Sequence, residues 1–311
     1  MKVLGLNCGS PGGNSELLLQ ASLMATEAAG HEVQLVRVAT LAIPAGRPGT
    51  LPPEVPDDRA WLTEQLVESD ALIISSPVTS RSPSAALKLM VDRAFGPRVD
   101  VAAVLRMKAG KQGDDPRYNT TIIDDRVLKP RVAGLISVGG ATSPDWLTFG
   151  LPLMHMATFS MHIAVVDQVQ FMGAALPGTI LFDEAAMDRA AAVGRHVAAE
   201  IGKSFDEAAY HGEPGVCPVC HCDVIVPHAD HTECATCAAR GELVIEGGRP
   251  RLLVTPDGRA RSILTLAAKH HHQDEIDAVS AASLPRMSEV PALRARFDAY
   301  DRLIAPERNA P

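Results

Sequence analysis

The chain opens Met1-Lys-Val-Leu-Gly-Leu-Asn-Cys-Gly-Ser-Pro-Gly-Gly-Asn-Ser15. Its apolar run from Val3 to Leu6 reads as a short, buried parallel strand. A turn of small residues follows, built from Gly9, Ser10, Gly12, Gly13, Asn14 and Ser15. Beyond it an apolar-periodic helix offers Leu17, Leu18, Ala21, Leu23 and Met24 as an inner face. A strand, a loop of bare amides and hydroxyls, and a helix N-terminus together make an anion site. The first amides of a helix lack partners, and the helix dipole favours negative charge. A phosphate group is the expected guest. The alternative is a plain βα turn in which Asn14 or Ser15 caps the helix.

Outward from that unit, strand and helix signals alternate over the first ~200 residues. Strands are expected at 31–38, 71–75, 132–138 and 163–169, and helices at 57–68, 82–93, 144–159 and 183–205. Residues 40–57, rich in Pro and Gly, read as a loop. Strands apolar on both faces and joined by helices mean a doubly wound α/β fold with a five-stranded parallel sheet. Residues 95–129 interrupt the rhythm with a charged stretch read as a loop over one sheet edge.

The bulk numbers narrow the function. The chain has 311 residues, long enough for a large domain and a small one. A net charge of −8 without a basic block, and only 4% aromatic residues, argue against nucleic acid as a partner. No apolar run approaches the roughly 18 residues of a transmembrane helix, so no membrane partner is expected. The N-terminus enters a strand without signal-peptide features, which points to the cytoplasm. In a reducing compartment the six cysteines are metal ligands or thiols rather than disulfides.

Ligands of open parallel sheets bind beyond the carboxyl ends of the strands. Three such ends carry small polar loops: 10–15, then Ser75-Ser76-Pro77-Val78-Thr79-Ser80 with Arg81, then Gly139-Gly140-Ala141-Thr142-Ser143. The Gly-Ser-Pro start with Asn14-Ser15, the Ser76-Pro77-Val78 turn, and Leu87-Lys88 with Asp92-Arg93 resemble the NADPH-dependent FMN reductase and iron–sulfur flavoprotein group, over roughly residues 1–205. The resemblance implies a flavodoxin-like fold, with FMN and NAD(P)H as cofactors. It also implies that Ser10, Gly12, Gly13, Asn14 and Ser15 hold the FMN phosphate, that Pro77, Val78 and Thr79, following Ser76, line the isoalloxazine edge, and that Gly139 and Gly140 approach the ring. The region around Lys88 to Arg93 resembles that group's dimer-forming segment, which implies a homodimer. Two positions depart from the pattern: Gly12 stands where an arginine is usual, and Thr79 where an aromatic is. Arg81 is one residue placed to restore the missing charge.

Cys217-Pro-Val-Cys220 and Cys234-Ala-Thr-Cys237 are two Cys-x-x-Cys knuckles separated by 13 residues. Paired knuckles give a tetrahedral sulfur site, and the β-pattern at 242–246 and 251–254 makes this a zinc ribbon. Zn2+ is expected, with mononuclear iron as the alternative, because metal binding would stabilise a module too small to fold alone. Cys222, His221, His228 and His231 are read as surface or supporting groups, and Cys8 as a small buried residue. Trp146 is expected in the core, and His155 and His162 as structural histidines.

The expected organisation is therefore a flavodoxin-like FMN-binding domain at 1–210, a zinc-ribbon module at 211–258 and a helical tail at 259–311. The expected activity is an NAD(P)H-dependent reduction of a small organic electron acceptor such as a quinone, nitro or azo compound. A flavin electron carrier that docks a partner through the ribbon is the alternative. No general acid or base stands out, as suits an enzyme whose cofactor carries the chemistry.

Overall fold

The computed structural model describes residues 1–45, 54–298, 300, 302 and 304. Residues 46–53 of the loop read at 40–57, and residues 299, 301, 303 and 305–311 of the tail read as helical, lie outside the described residues. Two units are distinguished, Met1–Lys269 and His270–Pro311.

Strands β1 (Lys2–Asn7), β2 (Glu32–Arg37), β3 (Ala71–Thr79), β5 (Val132–Val138) and β6 (Ala164–Phe171) form a parallel sheet, and the two-residue β4 (Ser82–Pro83) folds back on β3. The order β2-β1-β3-β5-β6 is that of the flavodoxin-like fold. Alternation along the strands sorts the core into two layers. On one face Leu4, Leu6, Leu72, Ile74 and Leu135 pack with Leu62 and Leu66 of α2 (Arg59–Glu68) and with Leu87 and Met90 of α3 (Ala85–Ala94). On the other face Val3, Ile73, Ile136 and Val166 pack with Leu18, Leu19 and Leu23 of α1 (Asn14–Ala28) and with Ala190, Val193 and Val197 of α7 (Glu184–Glu200).

The interface between α1 and α7 rests on small residues. Ser22 Oγ donates to Ala190 O at 2.6 Å, and Thr26 Oγ1 donates to Gly194 O at 3.1 Å. A Cβ on Gly194 would collide with the Ser22 carbonyl. This approach rotates α1 away from the face read in sequence. Leu18, Leu19 and Leu23 are buried, Leu17 and Ala21 are half-buried, and Met24 is exposed.

Three further expectations are corrected. The 95–129 stretch contains α4 (Val101–Gln112) and a 3-10 turn at Asp125–Leu128, and Val99, Val101, Val104 and Val127 join the core. Only the first turn of α4 is apolar, so its charged remainder reads as loop. The helix expected at 144–159 is broken into a 3-10 turn at Pro144–Trp146, α5 (Gly150–Met154) and α6 (Met156–Phe159). Trp146 lies on the surface, 62% exposed, rather than in the core.

The cysteine-bearing segment forms its own antiparallel sheet from β7 (Ile225–Pro227), β8 (Thr232–Cys234), β9 (Arg240–Glu246) and β10 (Arg249–Val254), in the order β10-β9-β8-β7. Gly247 and Gly248 take positive φ in the two-residue β9–β10 turn, where the strand twist favours that conformation. After α8 (Pro256–Ala260), α9 (Leu266–Ser283) and α10 (Val290–Asp298) supply the helical tail. Among the described residues no helix is long and apolar enough to cross a membrane.

Candidate functional site

The β1–α1 loop forms as the sequence suggests, with different side-chain assignments. Gly13 is the N-cap of α1, and no side chain caps it. Asn14 instead reaches the far side of the sheet edge: its Nδ2 donates to Ala174 O at 3.0 Å and Leu176 O at 2.8 Å, and its Oδ1 accepts from Ile180 N at 3.2 Å. Ser15 Oγ donates to Asn7 Oδ1 at 3.1 Å. Both side chains are buried and engaged, so the groups of Asn14 and Ser15 left for a ligand are their amides. Among the described residues the N–H groups of Ser10, Asn14 and Ser15 have no acceptor. Gly12, at φ +69°, is open around its Cα and turns the loop at a conformation that favours glycine.

The loop carries its own anion. Glu16, 2% exposed, accepts from Gly12 N at 3.2 Å and from Asn7 Nδ2 at 2.9 Å. Arg37, at the end of β2, binds it through both carboxylate oxygens at 2.9 Å. The Arg37 guanidinium holds the Glu16 carboxyl below its ordinary range against the opposing effect of burial, with help from Gly12 N–H. Asn7, Glu16 and Arg37 were not singled out in sequence. Arg37 had a signal: parallel pairing places it opposite Asn7, beside the loop that lacks an arginine.

The second loop is the end of a strand. Ser76, Pro77, Val78 and Thr79 continue β3 into a hairpin with β4, because Val78 and Thr79 pair with Pro83 and Ser82. Ser80 and Arg81 turn that hairpin with φ of 50° and 70°. Arg81 stacks on Phe149, with its guanidinium carbon 4.9 Å from the ring centroid, and its Nε donates to Asp145 O at 3.1 Å. The first and second loops are tied together: Ser75 Oγ donates to Ser15 O at 2.8 Å, and Ser84 Oγ donates to Cys8 O at 2.6 Å. Gly9 passes so close to Pro77 and Ser15 Oγ that a side chain would not fit. The Cys8 thiol is buried, and burial pushes its pKa up to about 12, which makes it a poor nucleophile.

At the third loop Gly139 is buried under Leu147, and a Cβ on it would strike that side chain. Gly140 is exposed and packs against Ala175. Gly139 N donates to Phe171 O and Ala174 N to Gly139 O, joining this loop to the segment that Asn14 holds. The three loops therefore meet at one edge, rimmed by the exposed rings of Trp146 and Phe149.

The structure fits a flavin nucleotide there. The unpartnered amides of Ser10 in the loop and of Asn14 and Ser15 in the first turn of α1 suit a phosphate, and Arg37 neutralises the neighbouring carboxylate.

At the second centre the Sγ atoms of Cys217, Cys220, Cys234 and Cys237 lie within 4.8 Å of one another, and all four residues are buried. The Cys217–Cys237 and Cys220–Cys234 separations are 3.6 and 3.5 Å. A tetrahedron with Zn–S bonds near 2.3 Å has edges of about 3.8 Å, so the four sulfurs stand nearly where a metal would hold them. Each knuckle turns through a left-handed residue just after its second cysteine, His221 and Ala238, both at φ 58°. Cys222 is buried outside the four and receives Gln168 Nε2 at 3.8 Å. Gln168 also donates to Cys220 O and His221 O, and its Oε1 lies 2.8 Å from Nε2 of the fully buried His155. His155 is thus a structural histidine that braces the knuckle against β6. His162 stacks on Phe205.

The chain is similar in sequence and in fold to known proteins. The sequence profile of the NADPH-dependent FMN reductase family matches residues 1–175. The flavone synthase cfoJ of Aspergillus candidus is 33% identical over 292 residues, which cover 88% of each chain. The solved structure of a flavone reductase superposes with a TM-score of 0.83 at 25% identity, covering 99% of this chain and all of that one.

Proposed function

The chain belongs to the NADPH-dependent FMN reductase family and is a flavin-dependent oxidoreductase; from that premise we propose that it moves a hydride between NAD(P)H and a flat, conjugated carbonyl compound of the flavone type. When bound, FMN supplies the hydride chemistry. The amides of Ser10, Asn14 and Ser15 receive its phosphate, with Gly12 and Gly13 shaping the loop, and Arg37 keeps Glu16 from repelling it. Pro77, Val78 and Thr79, backed by the buried Ser76, form one wall for the ring, and the exposed Gly140 lets it approach the main chain on the other, while Gly139, buried under Leu147, supports that turn from within. Trp146 and Phe149 offer aromatic surface to a planar acceptor, while Arg81, fixed on Phe149, offers a donor to its carbonyl.

The observation that carries this reading is the set of unpartnered amides of Ser10, Asn14 and Ser15 in the loop that leads into α1. The four cysteines are read as a structural zinc site. With four sulfur ligands it has no open position for catalysis. Cysteines that hold a metal rather than pair as disulfides suit a reducing compartment such as the cytoplasm. A homodimer is the expected assembly, with the α3 segment from Lys88 to Arg93 as its expected face. The proposed division of labour is a flavin-binding part at 1–210, a cysteine module at 211–258 and a helical tail at 259–311.

The test is anaerobic reduction of the FMN-loaded protein with NADPH, followed by addition of a flavone or of a simple quinone. Flavin absorbance should bleach with NADPH and return faster with the flavone. Bleaching followed by faster return with the quinone would reject the flavone-type acceptor. Failure to bleach would support a carrier in place of an enzyme.

A further inference from the structure

We propose that the β7–β8 hairpin carries a second metal site, formed by His228, His231 and Glu233, that takes a divalent first-row ion on two imidazoles and one carboxylate. One nitrogen of each histidine and one oxygen of Glu233 lie within 4.8 Å of one another. The cluster is separate from the four cysteines, although Glu233 directly precedes Cys234 in β8.

The side chains around it are arranged as they are around metal-bound histidines. His231 Nδ1 is 2.8 Å from the Asp230 carboxylate, which fixes the tautomer with the proton on Nδ1 and leaves Nε2 with its lone pair. That Nε2 is buried, has no hydrogen-bond partner, and lies 3.7 Å from Glu233 Oε2. A buried nitrogen lone pair without a donor is costly and invites a cation. Arg240 Nε donates at 3.0 Å to Glu233 Oε2, the oxygen that lies 3.7 Å from His231 Nε2, and so orients the carboxylate toward the imidazole. Imidazole with carboxylate suits Zn2+ or Ni2+ rather than the soft ions that prefer thiolate alone.

The rings of His228 and His231 are stacked, with centroids 4.5 Å apart and planes at 14°. Ligation at about 2.0–2.2 Å requires the donor atoms to close to roughly 3–3.5 Å, so His228 must swing off the stack. It is exposed at the hairpin turn, where its N–H binds His231 O at 2.8 Å, and its side chain is free to do so. Three protein donors leave at least one position on the ion open to water.

The test is calorimetric titration of the full-length protein with Zn2+ alone, paired with elemental analysis before and after. Two equivalents are expected, one held by the cysteines and a weaker one by the hairpin. His231→Ala should abolish the second and keep the first. Glu233→Gln and Asp230→Asn should weaken it about tenfold or more. If His231→Ala does not fold, His228→Ala at the exposed turn carries the same expectation. The absence of a second equivalent, or a second equivalent unchanged in these variants, would overturn the proposal.

Discussion

Glu16 places a buried carboxylate in the first turn of α1, within hydrogen-bond reach of the loop that should receive a dianion. Two negative groups at one helix N-terminus coexist only if a cation stands between them and their neighbours. Arg37 is that cation, bound to both oxygens of Glu16 while half its side chain remains in solvent. Arg37→Ala should therefore weaken FMN binding about tenfold to a hundredfold, roughly 1.4–2.7 kcal/mol, measured by flavin fluorescence titration. In the double variant Arg37→Ala with Glu16→Gln the unpaired charge is gone, and most of the affinity should return. If the double variant is as weak as the single one, Arg37 acts directly on the phosphate and not through Glu16. In sequence the charge missing at Gly12 has Arg81, or another residue, to replace it. Arg81 is committed to Phe149 and Asp145 O, and the compensating residue came from the adjacent strand. A pair separated by 21 residues becomes visible only once β1 and β2 are set in register.

At the scale of elements, the α1–α7 interface is set by two hydroxyls and a glycine. Gly194→Ala would push the helices apart. It should lower stability by about 2–3 kcal/mol in a denaturant melt while leaving the loops at the opposite strand ends intact. A loss below about 0.5 kcal/mol would show that the two helices are not in close register. The parallel strands were legible because runs such as Ala71-Leu-Ile-Ile are apolar on both faces, which a surface element does not tolerate. What followed them was less so. Pro77 reads as the end of a strand, yet β3 continues through it because β4 supplies hydrogen-bonding partners at Val78 and Thr79. Helix α4 buries only Val101 to Val104, so periodicity over its full length is lost. The Cys-x-x-Cys spacing, by contrast, fixes a local geometry almost unaided, and the knuckles stand where that spacing puts them.

At the scale of the molecule, the sheet and the cysteine module belong to one unit, Met1–Lys269, and Gln168 is a polar link between them. Its side chain runs from β6 to the carbonyls of the first knuckle on one side and to His155 on the other. His155 caps the C-terminus of α5, and the segment before α5 carries the exposed Trp146 and Phe149 at the candidate nucleotide site. The module thereby holds the base of that segment. At the other end of that site, the loop between β1 and α1 offers three amides and no fixed positive side chain of its own. On the proposed function, binding there depends on a phosphate more than on a ring. The most direct measurement is equilibrium titration of the flavin-free protein with FMN and with riboflavin, which is the same ring system without the phosphate. A grip on the phosphate by Ser10, Asn14 and Ser15 predicts stoichiometric FMN binding and riboflavin binding weaker by about a hundredfold or more. Equal affinities for the two, or no affinity for FMN, would contradict it.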